Sequence, residues 1–388
     1  MAWSRSLGGR GRAGLTLAAL LVAQACGDRS GGSRSLVVLG DSVASGEGIY
    51  YGFQYDPATG LWNGPADPDP AWDPPYPLCH QSRFAYGHLI ANALDAKLAS
   101  FACSGASYAN GIAAPQLDGG VTLRPAQFGD FATRTDLNPD YDAAAPDAVV
   151  VTLGANDVKF VQIITACVLG TALGTQDLES AARRGENLGA AVDRQIRDNR
   201  EALLAMLAGS PSGRPAAPSA AAARVCTQQN PGTVVETNFF DQLPLLQQHY
   251  QTLLAGIRAR GVAAGKVPRV VMTTYHVPLP ATAPATPCPD LLTLDQDQLT
   301  YLRSLEDMLA DLIVSTAAGL DGVAVAEIRP ALAGHEWCTS DPWTYGLSIE
   351  IRNLGNPAPF HPTREGQAAI ARLVRPVVEE ALRERPAT

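Results

Sequence analysis

The feature that most constrains the fold is an apolar run that ends in Gly-Asp-Ser. Residues 35–39 read Ser-Leu-Val-Val-Leu, which is typical of a buried strand, and the chain then turns at Gly40, Asp41 and Ser42. In open α/β sheets, ligands bind beyond the carboxyl ends of the strands. The motif therefore predicts that the Ser42 hydroxyl lies at the ligand-binding edge of such a sheet, where it is a candidate nucleophile. Taken alone, the motif also fits a serine that merely begins a helix.

Apolar runs with the character of strands alternate with helical stretches along the rest of the chain. The five predicted strands span residues 36–39, 99–102, 148–153, 269–274 and 323–326. The predicted helices span residues 84–94, 178–208, 243–260, 295–317 and 364–383. Strands separated by helices favour a parallel sheet that is covered on both faces. The predicted fold is therefore of the α/β class, a three-layer α/β/α sandwich with a central parallel sheet.

Three segments interrupt this alternation. Residues 50–77 are rich in proline, aspartate and aromatic residues, residues 209–223 are a low-complexity stretch, and residues 278–289 repeat proline. The aromatic side chains of the first segment fit a substrate pocket and packing onto the domain equally well; they are Tyr50, Tyr51, Phe53, Trp62, Trp72 and Tyr76. The aspartates of the same segment lack the regular spacing of a calcium loop, so we expect no metal there; they are Asp56, Asp67, Asp69 and Asp73.

The N-terminus has the pattern of an export signal followed by a tether. Basic residues precede a short apolar run, which ends in the cleavage pattern Ala23-Gln24-Ala25 and is too short to span a membrane. We therefore predict a signal peptide over residues 1–25, a polar tether over 26–34 and one catalytic domain over 35–388. Cys26 resembles the lipidated residue of a bacterial lipoprotein, although Gln24 departs from that motif. Free secretion is the alternative.

Charge and cysteine content narrow the function further. The formal net charge of −9 disfavours a nucleic-acid partner. Apart from Cys26, the number of cysteines is even, as expected for disulfide bonds in an exported protein; they are Cys79, Cys103, Cys167, Cys226, Cys288 and Cys338. The residues alone leave their pairing open. No cluster of cysteine and histidine indicates zinc, so the sequence predicts neither a metal nor a cofactor.

A serine nucleophile needs a base and hydrogen-bond donors for the oxyanion. His361 lies in Pro-Phe-His-Pro-Thr, directly before the last predicted helix, where it can face the carboxyl edge of the sheet. Gly105 follows the second strand and offers a backbone N–H, and Asn156 follows the third strand and offers a side-chain N–H. With the backbone N–H of Ser42, these are three candidate oxyanion donors. Each residue taken alone also fits a structural role in a turn or loop.

In their order along the chain, these four motifs resemble the blocks of the SGNH (GDSL) hydrolase superfamily. Segments 79–86 and 334–338 look like parts of its secreted actinobacterial lipases and esterases. The resemblance spans nearly the whole mature chain and implies a flavodoxin-like fold. It implies that Ser42 is the nucleophile, that His361 is the base, and that Gly105 and Asn156 help to form the oxyanion hole. It also implies three disulfide bonds, which join Cys79 with Cys103, Cys167 with Cys226, and Cys288 with Cys338.

The chain departs from the family pattern at two positions. Val43 replaces the usual leucine, which is a mild change, and Ala358 stands where the family usually has an aspartate. We therefore expect the backbone carbonyl of Ala358 to accept a hydrogen bond from His361 Nδ1, which leaves a Ser–His dyad. Asp41 and Asp157 each adjoin a catalytic candidate in sequence, so we expect their carboxylates to point elsewhere and make structural hydrogen bonds.

The resemblance implies an exported bacterial serine ester hydrolase: a lipase, an esterase or a phospholipase A-like enzyme. We expect a small-molecule or lipid ester as the substrate, membrane contact through a lipid anchor or through the substrate, and a monomer. A carbohydrate esterase that removes acetyl groups from polysaccharide is the alternative enzyme. An envelope protein that binds a glycan or lipid without catalysis is the alternative of another class.

Overall fold

A parallel β-sheet of five strands forms the centre of the protein. The computed structural model describes residues 34–63, 76–130, 146–173, 186–208, 238–284, 288–290, 294–354 and 356–383. The strands of the sheet are β1 (Ser35–Gly40), β2 (Lys97–Ser100), β3 (Ala148–Thr152), β4 (Arg269–Thr273) and β5 (Val323–Ala326). They lie in the order β2-β1-β3-β4-β5, and every neighbouring pair is parallel. This order is that of a flavodoxin-like doubly wound fold, so the predicted α/β/α sandwich is confirmed.

Strands β1 and β3, which lie inside the sheet, are mainly apolar because both of their faces are covered. β1 and β3 are buried along their whole length and pair in register, with Val37 opposite Val149. Side chains of a strand alternate between the two faces, so Leu36 and Val38 belong to one core cluster while Val37 and Leu39 belong to the other. The carboxyl ends of these strands therefore emerge between two packed helical layers.

Helices cover both faces of the sheet. Those described are α1 (Ser42–Ser45), α2 (Tyr86–Leu94), α3 (Gln127–Asp130), α4 (Phe160–Leu173), α5 (Leu188–Asp198), α6 (Arg200–Leu207), α7 (Leu243–Ala263), α8 (Gln296–Ala317), α9 (Ser348–Arg352) and α10 (Arg364–Arg383). Residues of α2 and α10 join the cluster of Leu36 and Val38. Residues of α4, α7 and α8 join the cluster of Val37 and Leu39. A capping box between Asp295 and Gln298 fixes the start of α8.

The observed elements differ from the predicted ones in several places. The helix predicted over 178–208 is divided at Asn199, where α5 ends and α6 begins. The first eight residues of the predicted helix lie outside the described part of the chain. Helix α4 was not predicted. The ladder of β2 covers 97–100 rather than 99–102, although the extended chain beyond it still bonds to β1, since Phe101 N–H donates to the Val38 carbonyl at 2.8 Å.

Two short antiparallel hairpins, which the sequence did not predict, lie outside the central sheet. One pairs Gln54–Asp56 with Leu61–Asn63, and the other pairs Gln116–Asp118 with Val121–Arg124. The first carries Trp62 into a small buried cluster, whose members are Phe53, Trp62, Tyr345, Ile349 and Ala358. Packing onto the domain thus accounts for two of the aromatic residues, Phe53 and Trp62, while Trp72 lies outside the described residues.

Disulfide bonds join Cys79 with Cys103 and Cys288 with Cys338, which are two of the three pairs that the family resemblance implies. Cys167 is also disulfide-bonded, but its expected partner Cys226 lies outside the described residues. The first bridge connects the segment before α2 to the chain that follows β2, and both of these segments border the end of β1.

The expected signal peptide, the tether and Cys26 all lie in residues 1–33, outside the described part of the chain. Within the described ranges, no helix is long and apolar enough to cross a membrane. The same ranges contain no group of three or more histidine, cysteine, aspartate and glutamate side chains that could bind a metal ion. Of the four aspartates considered for calcium, Asp56 is described, and it accepts hydrogen bonds from Ala58 N–H and the Thr59 hydroxyl at 2.9 Å each.

We predict that the double substitution Cys79→Ala/Cys103→Ala lowers the free energy of unfolding by about 3 kcal/mol, because the bridge closes a short loop and restricts the unfolded chain. Urea denaturation of the oxidised wild type and the variant measures this difference. The pair Cys288→Ala/Cys338→Ala is the matched control, since its bridge spans 50 residues rather than 24 and its removal costs a similar or slightly larger amount. Equal stability of wild type and the first variant would contradict the prediction.

Candidate active site

Ser42 begins a four-residue helix directly beyond the end of β1. Asp41 caps this helix, and its carboxylate accepts a hydrogen bond from Val43 N–H at 3.0 Å. Gly40 allows the close approach of the neighbouring strand, because a Cβ there would lie 2.5 Å from the Thr152 carbonyl oxygen. The Gln127 amide bonds both the N–H and the carbonyl of Gly40 at 2.8 Å. The turn that presents Ser42 is therefore fixed from three sides.

His361 contacts Ser42 from the loop before α10. Its Nε2 lies 2.6 Å from Ser42 Oγ, and the two residues are only 6% and 8% exposed. The loop is fixed through its backbone: Tyr345 N–H donates to the His361 carbonyl at 2.9 Å, and Phe360 N–H donates to the Tyr345 carbonyl at 2.8 Å. From α10, Gln367 Nε2 donates to the Val43 carbonyl at 2.8 Å. These bonds join the loop and its helix to the helix of Ser42.

The other ring nitrogen of His361 faces backbone carbonyls. Nδ1 lies 3.1 Å from the Pro359 carbonyl oxygen and 3.3 Å from that of Ala358. Within the described residues, no carboxylate oxygen is hydrogen-bonded to this nitrogen. From the sequence we expected the backbone carbonyl of Ala358 to accept a hydrogen bond from His361 Nδ1. In the structure, that carbonyl and a nearer one from Pro359 both lie within hydrogen-bond distance of this nitrogen. Burial lowers the pKa of His361, whereas the charge of Glu47 and these backbone contacts act in the opposite direction.

The loops after β2 and β3 bring Gly105 and Asn156 to the same edge of the sheet. Asn156 Nδ2 donates to the carbonyl of Ala106 at 3.0 Å, so the two loops are joined. Gly105 adopts a φ of +77°, a conformation that favours glycine. In the described part of the chain, neither the Ser42 nor the Gly105 backbone N–H donates a hydrogen bond. Both donors are therefore available to a ligand.

A base in contact with a serine hydroxyl, beside free amide donors, is the arrangement that acyl transfer requires. Residues 36–374 match the family of GDSL-like lipases and acylhydrolases. The chain belongs to this family. It is therefore an ester hydrolase, and the family expected from the sequence is confirmed.

Solved structures with low sequence identity also match the chain. Phospholipase A1 from Streptomyces albidoflavus NA297 is 19% identical, covers 90% of this chain and 99% of its own, and has a TM-score of 0.46. An extracellular lipase from Streptomyces rimosus is 20% identical, covers 90% and 100%, and has a TM-score of 0.44. A family two carbohydrate esterase from Clostridium thermocellum is 12% identical, covers 89% and 63%, and has a TM-score of 0.37. No protein with a curated description matches the chain.

The two aspartates beside the site residues of this GDSL hydrolase point away from the Ser42 hydroxyl into hydrogen-bond networks. Asp41 also accepts a hydrogen bond from the Tyr275 hydroxyl, and that hydroxyl accepts one from Ala155 N–H at 3.1 Å. Asp157 accepts from Tyr108 N–H at 3.1 Å. Burial raises the pKa of Asp41 to about 7 and that of Asp157 to about 6. Both carboxylates therefore make structural hydrogen bonds, as the sequence led us to expect.

A buried ion pair beside this site was not predicted from the sequence. Glu47 Oε2 lies 2.7 Å from His80 Nδ1, and the glutamate side chain is fully buried. The sequence motifs assigned no role to either residue. The signal in the sequence was the charged residue of Gly-Glu-Gly, which lies among apolar and small residues just after the Ser42 helix.

A cavity of about 430 Å³ opens beside the His361 loop. Aromatic side chains form much of its wall, and Thr363 and Arg364, which closely follow His361, form another part. Phe53 and Trp62 line this cavity and also belong to the small buried cluster. The packing interpretation therefore holds for these two residues, which also line a cavity.

We predict that Asp41→Asn makes the stability of this GDSL hydrolase less dependent on pH. The pKa of Asp41 is raised from 3.8 to about 7, so between those values the folded protein retains a proton that the unfolded chain releases. Stability conferred by this group is consequently lost as pH rises through that window. Asparagine cannot ionise but still accepts from Val43 N–H.

Urea unfolding of wild type and Asp41→Asn at several pH values between about 4 and about 7 tests this prediction. We expect the fall in unfolding free energy with rising pH to be shallower in the variant. Some slope should persist, because Asp157 also has a raised pKa. Parallel curves for the two proteins would show that Asp41 is ionised in the folded state throughout.

Proposed function

We propose that this protein is an exported serine ester hydrolase that works through a dyad of Ser42 and His361. The observation that carries the proposal is the 2.6 Å contact between His361 Nε2 and Ser42 Oγ, made at the carboxyl edge of the sheet. A base within hydrogen-bond reach of a hydroxyl can take its proton as that oxygen attacks a carbonyl. The lowered pKa of His361 keeps the imidazole neutral, as a base must be, at and above neutral pH.

Ser42 Oγ attacks the ester carbonyl carbon, and its proton passes to His361 Nε2. The imidazolium then protonates the leaving alcohol as the C–O bond breaks, which leaves an acyl group on Ser42. Water attacks this acyl-enzyme with His361 again as the base, and the acid is released. Throughout, Nδ1–H donates to the carbonyls of Pro359 and Ala358, so backbone groups fix the tautomer that a carboxylate fixes in a triad.

The negative charge that forms on the carbonyl oxygen needs donors at a fixed point. The backbone N–H groups of Ser42 and Gly105 and the side-chain amide of Asn156 lie on three adjacent loops at this edge. One N–H of the Asn156 amide is used by Ala106, so the other is the one that can serve the oxyanion. We infer that these groups form the oxyanion hole.

The substrate that we propose is a small-molecule or lipid ester. The cavity beside the His361 loop has an aromatic wall and enough volume for an acyl chain or an apolar alcohol group. A panel of p-nitrophenyl esters tests this assignment. Activity that persists or increases from acetyl to longer chains supports it, whereas a strong preference for acetyl would favour the removal of acetyl groups from a carbohydrate.

Export belongs to the proposal as well. The disulfides Cys79 with Cys103 and Cys288 with Cys338 are bonds that persist in oxidising compartments. The signal peptide over residues 1–25, lipidation at Cys26 and the monomeric state stay predictions.

We predict that Ser42→Ala and His361→Ala each lower kcat for p-nitrophenyl ester hydrolysis by about 10⁴-fold or more, since neither half of the dyad works alone. An alkyl fluorophosphonate should label the wild type with one equivalent at Ser42, as peptide mass spectrometry can show. Ser45→Ala is the matched control, because Ser45 lies in the same short helix and its hydroxyl donates to the Ser42 carbonyl. Wild-type turnover by Ser42→Ala would refute the proposed nucleophile.

We predict that Asn156→Ala lowers kcat by about 10²–10³-fold, the effect of removing one oxyanion donor. The substrate KM should change little, because the oxyanion forms after the substrate binds. Asn110→Ala serves as the control, since that side chain bonds the backbone of Leu117 away from the oxyanion donors. A rate near that of the wild type would remove Asn156 from the oxyanion hole.

A further inference from the structure

A fully buried carboxylate follows the Ser42 helix by two residues. Glu47 N–H donates to the Ser42 carbonyl at 3.0 Å, so the backbone of Glu47 is bonded directly to the residue that carries the hydroxyl. Its side chain is 0% exposed, with Oε1 accepting from Gly48 N–H at 2.9 Å and Oε2 facing His80 Nδ1 at 2.7 Å. The mechanism described above uses neither Glu47 nor His80.

The contacts of Glu47 keep its carboxylate ionised despite burial. Desolvation by burial would raise its pKa, but the hydrogen bond from His80, the charges of His80 and His361 and a hydrogen bond from Ser104 together lower it. The same pairing raises the pKa of His80 against the effect of desolvation. The Tyr51 hydroxyl completes the group, since it lies 3.3 Å from His80 Nε2. A buried charge with this set of partners is a built feature of the site.

The ionisable groups around His361 leave Glu47 as the source of negative charge. His276 Nε2 lies 3.0 Å from the Phe360 carbonyl oxygen, and burial lowers the pKa of His276 to about 4, so that ring is neutral. Tyr345 is also neutral, because burial raises its pKa. Nδ1 of His361 faces only carbonyl dipoles. The negative charge that raises the pKa of His361 is that of Glu47.

The disulfide bond between Cys79 and Cys103 positions this carboxylate. His80 and Ser104, which both bond to Glu47, follow the two bridged cysteines directly in sequence. Ser104 N–H also donates to the Cys79 carbonyl at 3.1 Å. Gly105 is the next residue, so the same contacts connect the Ser42 turn with the candidate oxyanion loop.

We propose that Glu47 acts through space on His361 as a source of negative charge. In a Ser–His–Asp triad, the aspartate carboxylate that accepts a hydrogen bond from Nδ1 of the histidine provides this charge. The carbonyls of Pro359 and Ala358 orient the ring, and Glu47 stabilises the imidazolium that forms when Ser42 Oγ loses its proton. His80 and the adjacent disulfide fix the carboxylate in position. Glu47 is thus a positioning and electrostatic residue, and this role rests on the proposed dyad of Ser42 and His361.

The test is the pH dependence of kcat/KM for a p-nitrophenyl ester in Glu47→Gln. A negative charge raises the pKa of a nearby imidazole, so its removal should allow His361 to lose its proton at lower pH. We expect the acid limb of the profile to move to lower pH. On the plateau, kcat/KM should fall by roughly 10-fold, a part of the about 10²–10⁴-fold that general acid–base catalysis contributes.

A second variant predicts a shift of the same sign. His80→Gln keeps an amide donor for the Glu47 carboxylate but removes the positive charge that lowers the pKa of Glu47. A larger part of Glu47 should then be protonated, so the acid limb should again move to lower pH. Because this variant retains the Glu47 side chain and a hydrogen-bond donor for it, it provides a test even where Glu47→Gln does not fold. The matched control is Glu306→Gln, another buried glutamate, whose pKa burial raises well above its usual value; its profile should match that of the wild type.

Two outcomes would overturn the proposal. An acid limb that is unchanged in Glu47→Gln, or one that moves to higher pH in His80→Gln, would reduce the pair to a structural contact. Fluorophosphonate labelling separates this failure from failure of the dyad. Labelling of Ser42 in the wild type together with unshifted profiles refutes only the role of Glu47. Absence of labelling in the wild type refutes the dyad itself.

Discussion

The hydrogen bond between Ser42 and His361 joins residues that are 319 positions apart in the chain, and the rest of the site depends on it. Ser42 follows the end of the first strand, which lies inside the sheet between β2 and β3. His361 must therefore be brought to Ser42. Gln367 shows how: its amide bonds the Val43 carbonyl and accepts from Tyr86 N–H at 2.9 Å, so one buried side chain aligns the last helix with the first two.

A histidine base must be held in orientation and supported by charge, and a triad aspartate does both at once. In the proposed dyad the two tasks are separate. The backbone orients the imidazole, because hydrogen bonds join segment 343–345 to segment 360–363. The His361 carbonyl accepts one of these bonds. Phe360 adopts a φ of +67°, which is unfavourable for a bulky residue and persists only where the surroundings enforce it. An alanine at 358 is tolerated because the ring no longer depends on a side chain at that position.

Local signals were enough to predict the sheet and the residues gathered at its edge. Continuous apolar runs such as Val149–Val151 identify strands that are buried on both faces, and the residues that follow such strands meet at one edge by topology alone. Helix α4 was missed because its sequence is apolar on all sides and lacks the periodicity of an amphipathic helix. The two hairpins were missed because their strands are only three or four residues long.

The pair of Glu47 and His80 was missed for a different reason. Its residues are 33 positions apart, and their meeting depends on the bridge from Cys79 to Cys103. No periodicity or spacing encodes such a contact. The pairing of cysteines was itself open until the resemblance to a family supplied it. Sequence patterns therefore predict which residues lie at the edge of the sheet, but not which of the acidic side chains there remain ionised.

Whether a buried acid remains ionised depends on the groups that donate hydrogen bonds to it. Asp41 and Asp157 accept hydrogen bonds from neutral groups, a hydroxyl and backbone amides, and these do not offset the cost of burial, so their pKa values rise. Glu47 is as deeply buried as Asp41, yet its pKa falls, because its main donor is an imidazole that can carry positive charge. Near neutral pH, a large part of Asp41 is therefore protonated, whereas Glu47 keeps its negative charge. In the proposed mechanism, the charge that acts on the His361 ring comes from a residue that is hydrogen-bonded to neither the Ser42 hydroxyl nor the imidazole.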